Sequence, residues 1–243
     1  MIAEHNAILR EPDAPAWHVA RIRDRDLLLV HNRARAWVAA WDASEMSDRA
    51  EGWALPSPIE RVIVGGPPGG YVVSGVAADD HENRAWFERE GFVMRGSHVD
   101  LDVTLEAPGA LDSRVRRARL DEAERLAAWV AESFAPAWAR EVIRSSRQYD
   151  AAVFVSERQG AYAGFAAHSG HNAAAGTFGP VGVASELRGA GLGAALTRAA
   201  LDDLHARGHR VATIPWVDPG RVAFYRGLVA DAQVRERVIL AKQ

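Results

Sequence analysis

The chain has 243 residues, 48% of them hydrophobic and 25% charged, with a formal net charge of -3 and no cysteine. This composition is typical of a globular protein with a sizeable core, gives no reason to expect a nucleic-acid partner or a metal site, and excludes disulfides and a cysteinyl acyl intermediate. No apolar run approaches the roughly 18 residues of a membrane span, and Met1–Asp13 lacks the apolar stretch of a signal peptide, so we expect a cytoplasmic protein without a membrane partner.

The first half of the chain is predicted to be rich in strands. Apolar runs bounded by turn residues predict strands at Trp17–Ile22, Leu27–His31, Ala36–Trp41, Arg61–Val64, Tyr71–Val76 and His98–Leu105. Turn formers at Ala107–Ser113 then predict a linker, which divides the chain into domains at residues 1–106 and 113–243.

The second half alternates between strands and helices. Strands are predicted at Val115–Arg119, Ala151–Val155, Ala161–Ala167, Ala173–Ala184, Val211–Val217 and Gln233–Leu240. Helices are predicted after an N-cap at Asp121 and over Pro136–Arg147, Ala194–Arg207 and Gly220–Gly227. This order predicts an α/β fold with a mixed, mostly antiparallel central sheet flanked by helices.

A weak internal repeat links the two halves. Asp80 precedes Phe87 by seven residues, just as Asp218 precedes Tyr225, and an arginine follows each aromatic pair. A predicted strand comes next in both halves, which suggests an old duplication. The glycine loop described next has no counterpart in the first half, where Glu51-Gly52-Trp53-Ala54 stands instead.

The strongest functional signal is the run Arg188-Gly189-Ala190-Gly191-Leu192-Gly193, which lies between a predicted strand and a predicted helix. Glycines let backbone N–H groups approach a diphosphate, and the positive end of the following helix attracts the anion. Arg188 can add a charge-assisted contact. The alternative is a purely structural role, in which the run forms an ordinary tight turn before a helix.

A dinucleotide fingerprint also fits this loop, through Gly189, Gly191 and Ala194, with Asp218 at the ribose-binding position. Two features argue against it. Residues 185–188 separate the predicted strand from the first glycine, and the chain after the loop is too short for the rest of a doubly wound sheet.

Together with the strand before it and the tyrosine after it, the loop resembles that of the GNAT acetyltransferase superfamily, whose pattern Q/R-x-x-G-x-G/A is matched by Arg188, Gly191 and Gly193. The resemblance covers about Ser113–Gln243 and implies acetyl-CoA as acyl donor. It places Val181, Gly182 and Val183 against the pantetheine arm. It also places Gly189, Ala190 and Leu192 with the matched loop residues around the pyrophosphate.

The same resemblance implies that Tyr225 donates a proton to the departing thiolate. Asp218 stands where the family often has an asparagine that contacts the cofactor. Phe87 replaces this tyrosine in the first half, so residues 1–106 are expected to be a degenerate GNAT-like domain of a tandem protein.

Pro215 gives separate support, because a proline cannot donate to a sheet ladder and the family's sheet parts at this strand. Its neighbour Trp216 is expected either to line the opening or to be a core tryptophan.

No general base is apparent in the sequence. Thr177 and Phe178 occupy the position where many family members have a glutamate. His168 and His171 are expected to be surface histidines at a hairpin tip, and Glu186 a solvated charge. A water chain or a residue of the first half remains open as the base.

We therefore expect an N-acetyltransferase that moves an acetyl group directly from acetyl-CoA to a primary amine of a small molecule, as a monomer or homodimer. The main alternative is a CoA-binding sensor without turnover. A nucleotide oxidoreductase is the third possibility.

Overall fold

The computed structural model describes residues 16–22, 25–31, 35–41, 49–51, 59–66 and 73–243. Met1–Asp13, Gly52–Ala54 and Tyr71 of the sequence predictions lie outside these residues. The chain divides into two compact units, Met1–Asp100 with Arg235–Gln243, and Leu101–Val234. The C-terminal residues from Arg235 thus belong to the first unit, whereas the domain ranges 1–106 and 113–243 stay a prediction.

The strands are β1 (Ala16–Ile22), β2 (Arg25–His31), β3 (Arg35–Trp41), β4 (Arg49–Glu51), β5 (Arg61–Val64), β6 (Val76–Ala77), β7 (Val93–Thr104), β8 (Arg116–Arg117), β9 (Ala152–Arg158), β10 (Ala161–His168), β11 (Phe178–Val183), β12 (Val211–Val217) and β13 (Ala232–Lys242). The helices are α1 (His81–Arg89), α2 (Ala123–Ser133), α3 (Pro136–Arg147), α4 (Leu192–Ala206) and α5 (Val222–Arg226). No helix in the described part of the chain is both long and apolar enough to cross a membrane. The result is the predicted mixed α/β fold.

The first unit is built on a mixed sheet with the strand order β13-β5-β3-β2-β1-β4. Neighbours β1 and β2 are antiparallel, and β3 and β5 are parallel. Helix α1 begins at Asp80, whose carboxylate accepts the Asn83 N–H at 3.1 Å. The helix buries Trp86 and Phe87 in the apolar core beneath this sheet.

The second unit contains an antiparallel sheet with the order β11-β10-β9-β8. Helices cover both of its faces. On one face, Phe165 of β10 packs with apolar residues of α2 and α3 such as Leu126 and Val142. On the other face, α4 lies so close to β10 that a Cβ at Gly164 would come within 2.8 Å of Leu196.

Three sequence predictions fail locally. Of the strand predicted at Tyr71–Val76, the described residues 73–75 are not in a strand and bend at residues 74–75, and the strand β6 begins only at Val76. The predicted strand Ala173–Ala184 is a 3₁₀ turn at Ala173–Ala175 followed by β11, because Asn172 and Gly176 on either side of the turn take left-handed conformations. Asp121 does not cap α2. It lies in a 3₁₀ turn and bonds the Arg119 side chain at 3.0 Å, while Glu122 accepts the Arg119 N–H at 2.7 Å.

Gly182 is required by a close approach of aromatic side chains to β11. A Cβ at this position would lie 2.7 Å from the Phe134 ring and 3.0 Å from the Phe165 ring. Phe134 is itself stacked on Trp138, with centroids 5.7 Å apart, so it has little room to move.

We expect Gly182→Ala to lower the free energy of unfolding by about 1–3 kcal/mol through overpacking, measured by urea denaturation. Gly109→Ala is the matched control, because a Cβ there meets nothing within 4 Å. Equal stability of the two variants would show that the aromatic rings do not confine this position.

Candidate active site

The site begins where β11 and β12 part. On one edge, β11 pairs with β10, with Val181, Gly182 and Val183 opposite residues 164–166. On its other edge, the described residues make a single parallel bridge to β12, between Thr177 and Thr213. The separation predicted from Pro215 is therefore confirmed, and main-chain groups on this edge of residues 181–183 have no strand partner in the described structure.

A bulge marks the start of the opening. Between Ala166 and His168 the register slips, so that β11 has one more residue than β10. Gly179, at this bulge, has φ of 126°, and a Cβ there would meet nothing within 4 Å. Bulges redirect the side chains that follow them, which is why Phe178 and Val181 lie on the same face.

The glycine loop connects β11 to the N-terminus of α4. Gly189 and Gly191 have φ of 85° and 75°, values at which an L side chain is strained. A Cβ on either residue would meet nothing within 4 Å and would point into open space. Gly191 is the N-cap of α4 and provides no side chain for the first-turn N–H groups, so these donors suit an anion.

Two other loop positions are fixed by packing. Leu192 is buried and anchors the first turn of α4. A Cβ at Gly193 would lie 3.6 Å from Val183 and 3.8 Å from Phe224, so the helix passes close to β11 and α5. The structure thus brings the predicted loop and the predicted pantetheine strand together.

Two arginines hold the loop. Arg188 is exposed and donates from Nε to the Val183 carbonyl at 3.1 Å, which ties the loop to the end of β11. Arg114, which the sequence did not single out, donates from Nη1 to the Ala190 carbonyl at 2.9 Å. Its guanidinium is oriented by Asp112, whose pKa falls to about 2 because of the hydrogen bonds from Arg114.

A cavity of about 570 Å³ lies beside this loop and is lined in part by residues of α4. Its lining includes Arg114, Gly191 and Arg198 but not Tyr225 or β11. It is therefore separate from the opening between β11 and β12.

Tyr225 of α5 lies beside the first residue of β11. Its ring centroid is 6.3 Å from that of Phe178 and 5.0 Å from that of Phe224. Burial raises the pKa of Tyr225 to about 12, despite the opposing charge of Arg221. The phenol is therefore neutral at physiological pH and can act as a proton donor.

Asp218 has a local structural role. Its carboxylate accepts the Gly220 N–H at 2.8 Å and caps the short turn before α5. Asp80 has the same capping role in the first unit. Contact between Asp218 and the cofactor stays a prediction.

The prediction of two surface histidines is wrong. His168 is fully buried, with Nε2 2.8 Å from Asp203 and Nδ1 3.0 Å from Ser169. His171 is also buried, 3.2 Å from Glu141. Burial lowers the pKa of His168 more than Asp203 raises it, so His168 is a neutral donor to an ionised carboxylate.

Two further predictions are settled by exposure. Trp216 is 36% exposed with φ of 57°, so it is not a core tryptophan. Glu186 is exposed and bonded to the Ser185 hydroxyl, as expected of a solvated charge.

The buried phenol of Tyr225 gives a test by pH. The Tyr225 phenol has a pKa near 10 in the unfolded chain and about 12 in the folded protein. The stability that the neutral phenol contributes is therefore present below pH 10 and is lost as the pH rises towards 12. We expect the free energy of unfolding of the wild type, relative to that of Tyr225→Phe, to be about 1.4 kcal/mol lower at pH 11 than at pH 8. Urea denaturation of both proteins at the two pH values measures this difference. A difference that does not change with pH would contradict the burial of this phenol.

Comparison with known proteins gives one family match. Residues 123–228 match the model described as "Acetyltransferase (GNAT) family". No curated protein sequence matches the chain.

Several solved structures have a similar fold. A glucosamine N-acetyltransferase region of a fungal multi-domain β-N-acetylglucosaminidase has a TM-score of 0.64 at 16% identity, and the match covers 94% of this chain but only 31% of that one. A GCN5-related N-acetyltransferase from Sphaerobacter thermophilus has a TM-score of 0.60 at 16% identity, and the match covers 90% of this chain and 80% of that one. A tandem GNAT protein from the clavulanic acid biosynthesis pathway has a TM-score of 0.54 at 16% identity, and the match covers 90% of this chain and 78% of that one.

These structures share the mixed α/β fold with this chain. The family match spans α2 to α5, which includes the parted strands, the glycine loop and Tyr225. We conclude that residues 123–228 match the acetyltransferase domain of the GNAT family and that the solved structures share its fold.

Proposed function

We propose that the protein transfers an acetyl group directly from acetyl-CoA to a primary amine of a small molecule. The observation that carries the proposal is the single Thr177–Thr213 bridge, beyond which an unpaired strand edge leads to the glycine loop and to α4. A long ligand with a diphosphate at one end and amide groups along its arm matches this order of groups.

The residues present fit such a donor. The left-handed glycines Gly189 and Gly191, with open space where a Cβ would lie, would accept the diphosphate at the start of α4. Main-chain groups of residues 181–183 would bind the amides of the arm. When bound, acetyl-CoA supplies an activated acyl carbon attached to a thiol leaving group.

Tyr225 would assist the departure of the thiol leaving group. Its pKa of about 12 keeps the hydroxyl protonated. A thiol has an ordinary pKa of about 8.5, so complete transfer from the phenol to a thiolate would be uphill. Tyr225 would therefore stabilise the growing negative charge on sulfur mainly as a hydrogen-bond donor.

The acceptor is proposed to be small and to carry a primary amine. In support, the fungal structural relative is described as a glucosamine N-acetyltransferase region, and glucosamine carries such an amine. A cytoplasmic monomer or homodimer is the form that we propose for this enzyme.

The first unit is proposed to be a degenerate GNAT-like half that shapes the acceptor pocket. Asp80 caps α1 and Asp218 caps the turn before α5, and Phe87 is fully buried at the position matching Tyr225. The similarity to a tandem GNAT protein also supports this proposal.

A CoA-binding sensor without turnover is the alternative. In its favour, Thr177 replaces the family's glutamate and its hydroxyl bonds the Asn172 carbonyl at 3.1 Å. Burial of His168 against Asp203 and of His171 against Glu141 also keeps both imidazoles from a substrate.

We expect acetyl-CoA, but not NADH, to raise the thermal unfolding midpoint by several degrees, since a ligand at a hundred times its Kd adds about 2.7 kcal/mol. Gly191→Ala should lose most of this shift, because its Cβ would occupy the space proposed for the diphosphate. Gly208→Ala is the matched control at the far end of α4, with φ of 97° and the same open surroundings. A shift with NADH alone, or equal shifts in both variants, would contradict the proposed donor site.

Replacement of Tyr225 by Phe should lower kcat by about 10²–10⁴-fold while leaving the affinity for acetyl-CoA unchanged. Thiol release with amine acceptors gives the rate, and calorimetry gives the affinity. Unchanged turnover would remove Tyr225 from the reaction. Acetyl-CoA binding without thiol release to any amine in the wild type would favour the sensor.

A further inference from the structure

The two strands that part at the Thr177–Thr213 bridge present different groups on their two faces. Phe178 lies opposite His168, whose ring reaches Asp203 of α4, so Phe178 is on the face that α4 covers. Tyr225 packs on Phe178 and therefore lies on that face as well.

The bridge residues themselves face the other way. Side chains alternate along a strand, so Thr177 is on the face opposite Phe178. In β12, Ala212 and Ile214 are buried, whereas Thr213 between them is half-buried on the opposite side. Both threonines therefore lie on the face away from α4.

A carboxylate joins Thr213 on this face. The Thr213 hydroxyl donates to Asp102 at 3.0 Å, from β12 to the end of β7 that belongs to the same unit. Asp102 is half-buried, whereas Leu101 and Val103 on either side of it are fully buried. The strand therefore presents this carboxylate, and not its neighbours, on the more open face.

Three other acidic residues of the second unit, Asp203, Asp218 and Glu141, have structural interactions. Asp203 is bonded to His168 and Arg207, and Asp218 caps the turn at Gly220. Glu141 is buried against His171. Among these carboxylates, Asp102 is the one attached directly to the bridge where the strands part.

We propose that Asp102 accepts the proton released by the amine during acyl transfer, an inference that rests on the proposed function. The amine nitrogen forms a bond to the acyl carbon as the carbon–sulfur bond breaks. The proton leaves nitrogen for the Asp102 carboxylate, and Tyr225 serves the sulfur from the opposite face of the sheet. Nitrogen becomes markedly more acidic as the new bond forms, so a carboxylate can accept its proton at that stage.

The test compares Asp102→Asn with the wild type. Thiol release is followed with acetyl-CoA and, in turn, glucosamine, spermidine and a short peptide with a free N-terminus. Asp102→Asn should lower kcat by about 100-fold or more with the most active amine, while the thermal shift with acetyl-CoA is unchanged. Asp121→Asn, an exposed carboxylate, is the control that should leave both unchanged.

A second readout does not depend on turnover. Calorimetric titration of the same amine into the CoA-bound protein should show about tenfold weaker binding to Asp102→Asn, because a charge-assisted hydrogen bond from the amine N–H to the carboxylate is lost. Thr213→Val keeps the carboxylate but removes the hydroxyl that orients it, and it should lower kcat about tenfold. This variant decides the question if Asp102→Asn does not fold.

The outcomes separate the two proposals. Normal turnover and amine binding in Asp102→Asn would overturn the assignment of Asp102 and leave the proposed acetyltransferase intact. No thiol release by the wild type with any of the three amines would contradict the proposed function, and the role of Asp102 with it.

Discussion

The structure of the site depends on the place where β11 and β12 stop pairing. A sheet ladder continues as long as each strand offers donors and acceptors to the next, and Pro215 removes one donor from β12 soon after the Thr177–Thr213 bridge. Unpaired main-chain groups are stable where water or a ligand can bind them. Helices α4 and α5 follow these two strands directly, so the opening also determines where the glycine loop and Tyr225 lie.

The opening separates two chemical environments. On the side of α4, Tyr225 is 9% exposed among aromatic rings, and burial keeps its hydroxyl protonated. On the other side, Asp102 remains half-buried and is bonded to a threonine hydroxyl. Elsewhere, the buried imidazole of His168 is satisfied by a hydrogen bond to the half-buried Asp203.

Local patterns in the sequence predicted most of the second unit. The helix predicted at Ala194–Arg207 is observed at Leu192–Ala206, and Gly189 and Gly191 of the predicted glycine loop have positive φ. The failures involve partners distant along the chain. The burial of His168 depends on Asp203, thirty-five residues later, and Asp102 meets Thr213 across more than a hundred residues. No spacing rule reports such pairs. The roles of the predicted site residues stay predictions.

Hydrogen–deuterium exchange with and without CoA tests most directly whether the opening binds the acyl donor. The account predicts slower exchange in two segments, residues 181–183 of β11 and residues 189–193 of the glycine loop, because their free N–H groups would bind the arm and the diphosphate. Exchange in β9, on the far side of β10, should not change. Protection confined to other segments, or no protection at saturating CoA, would contradict the account.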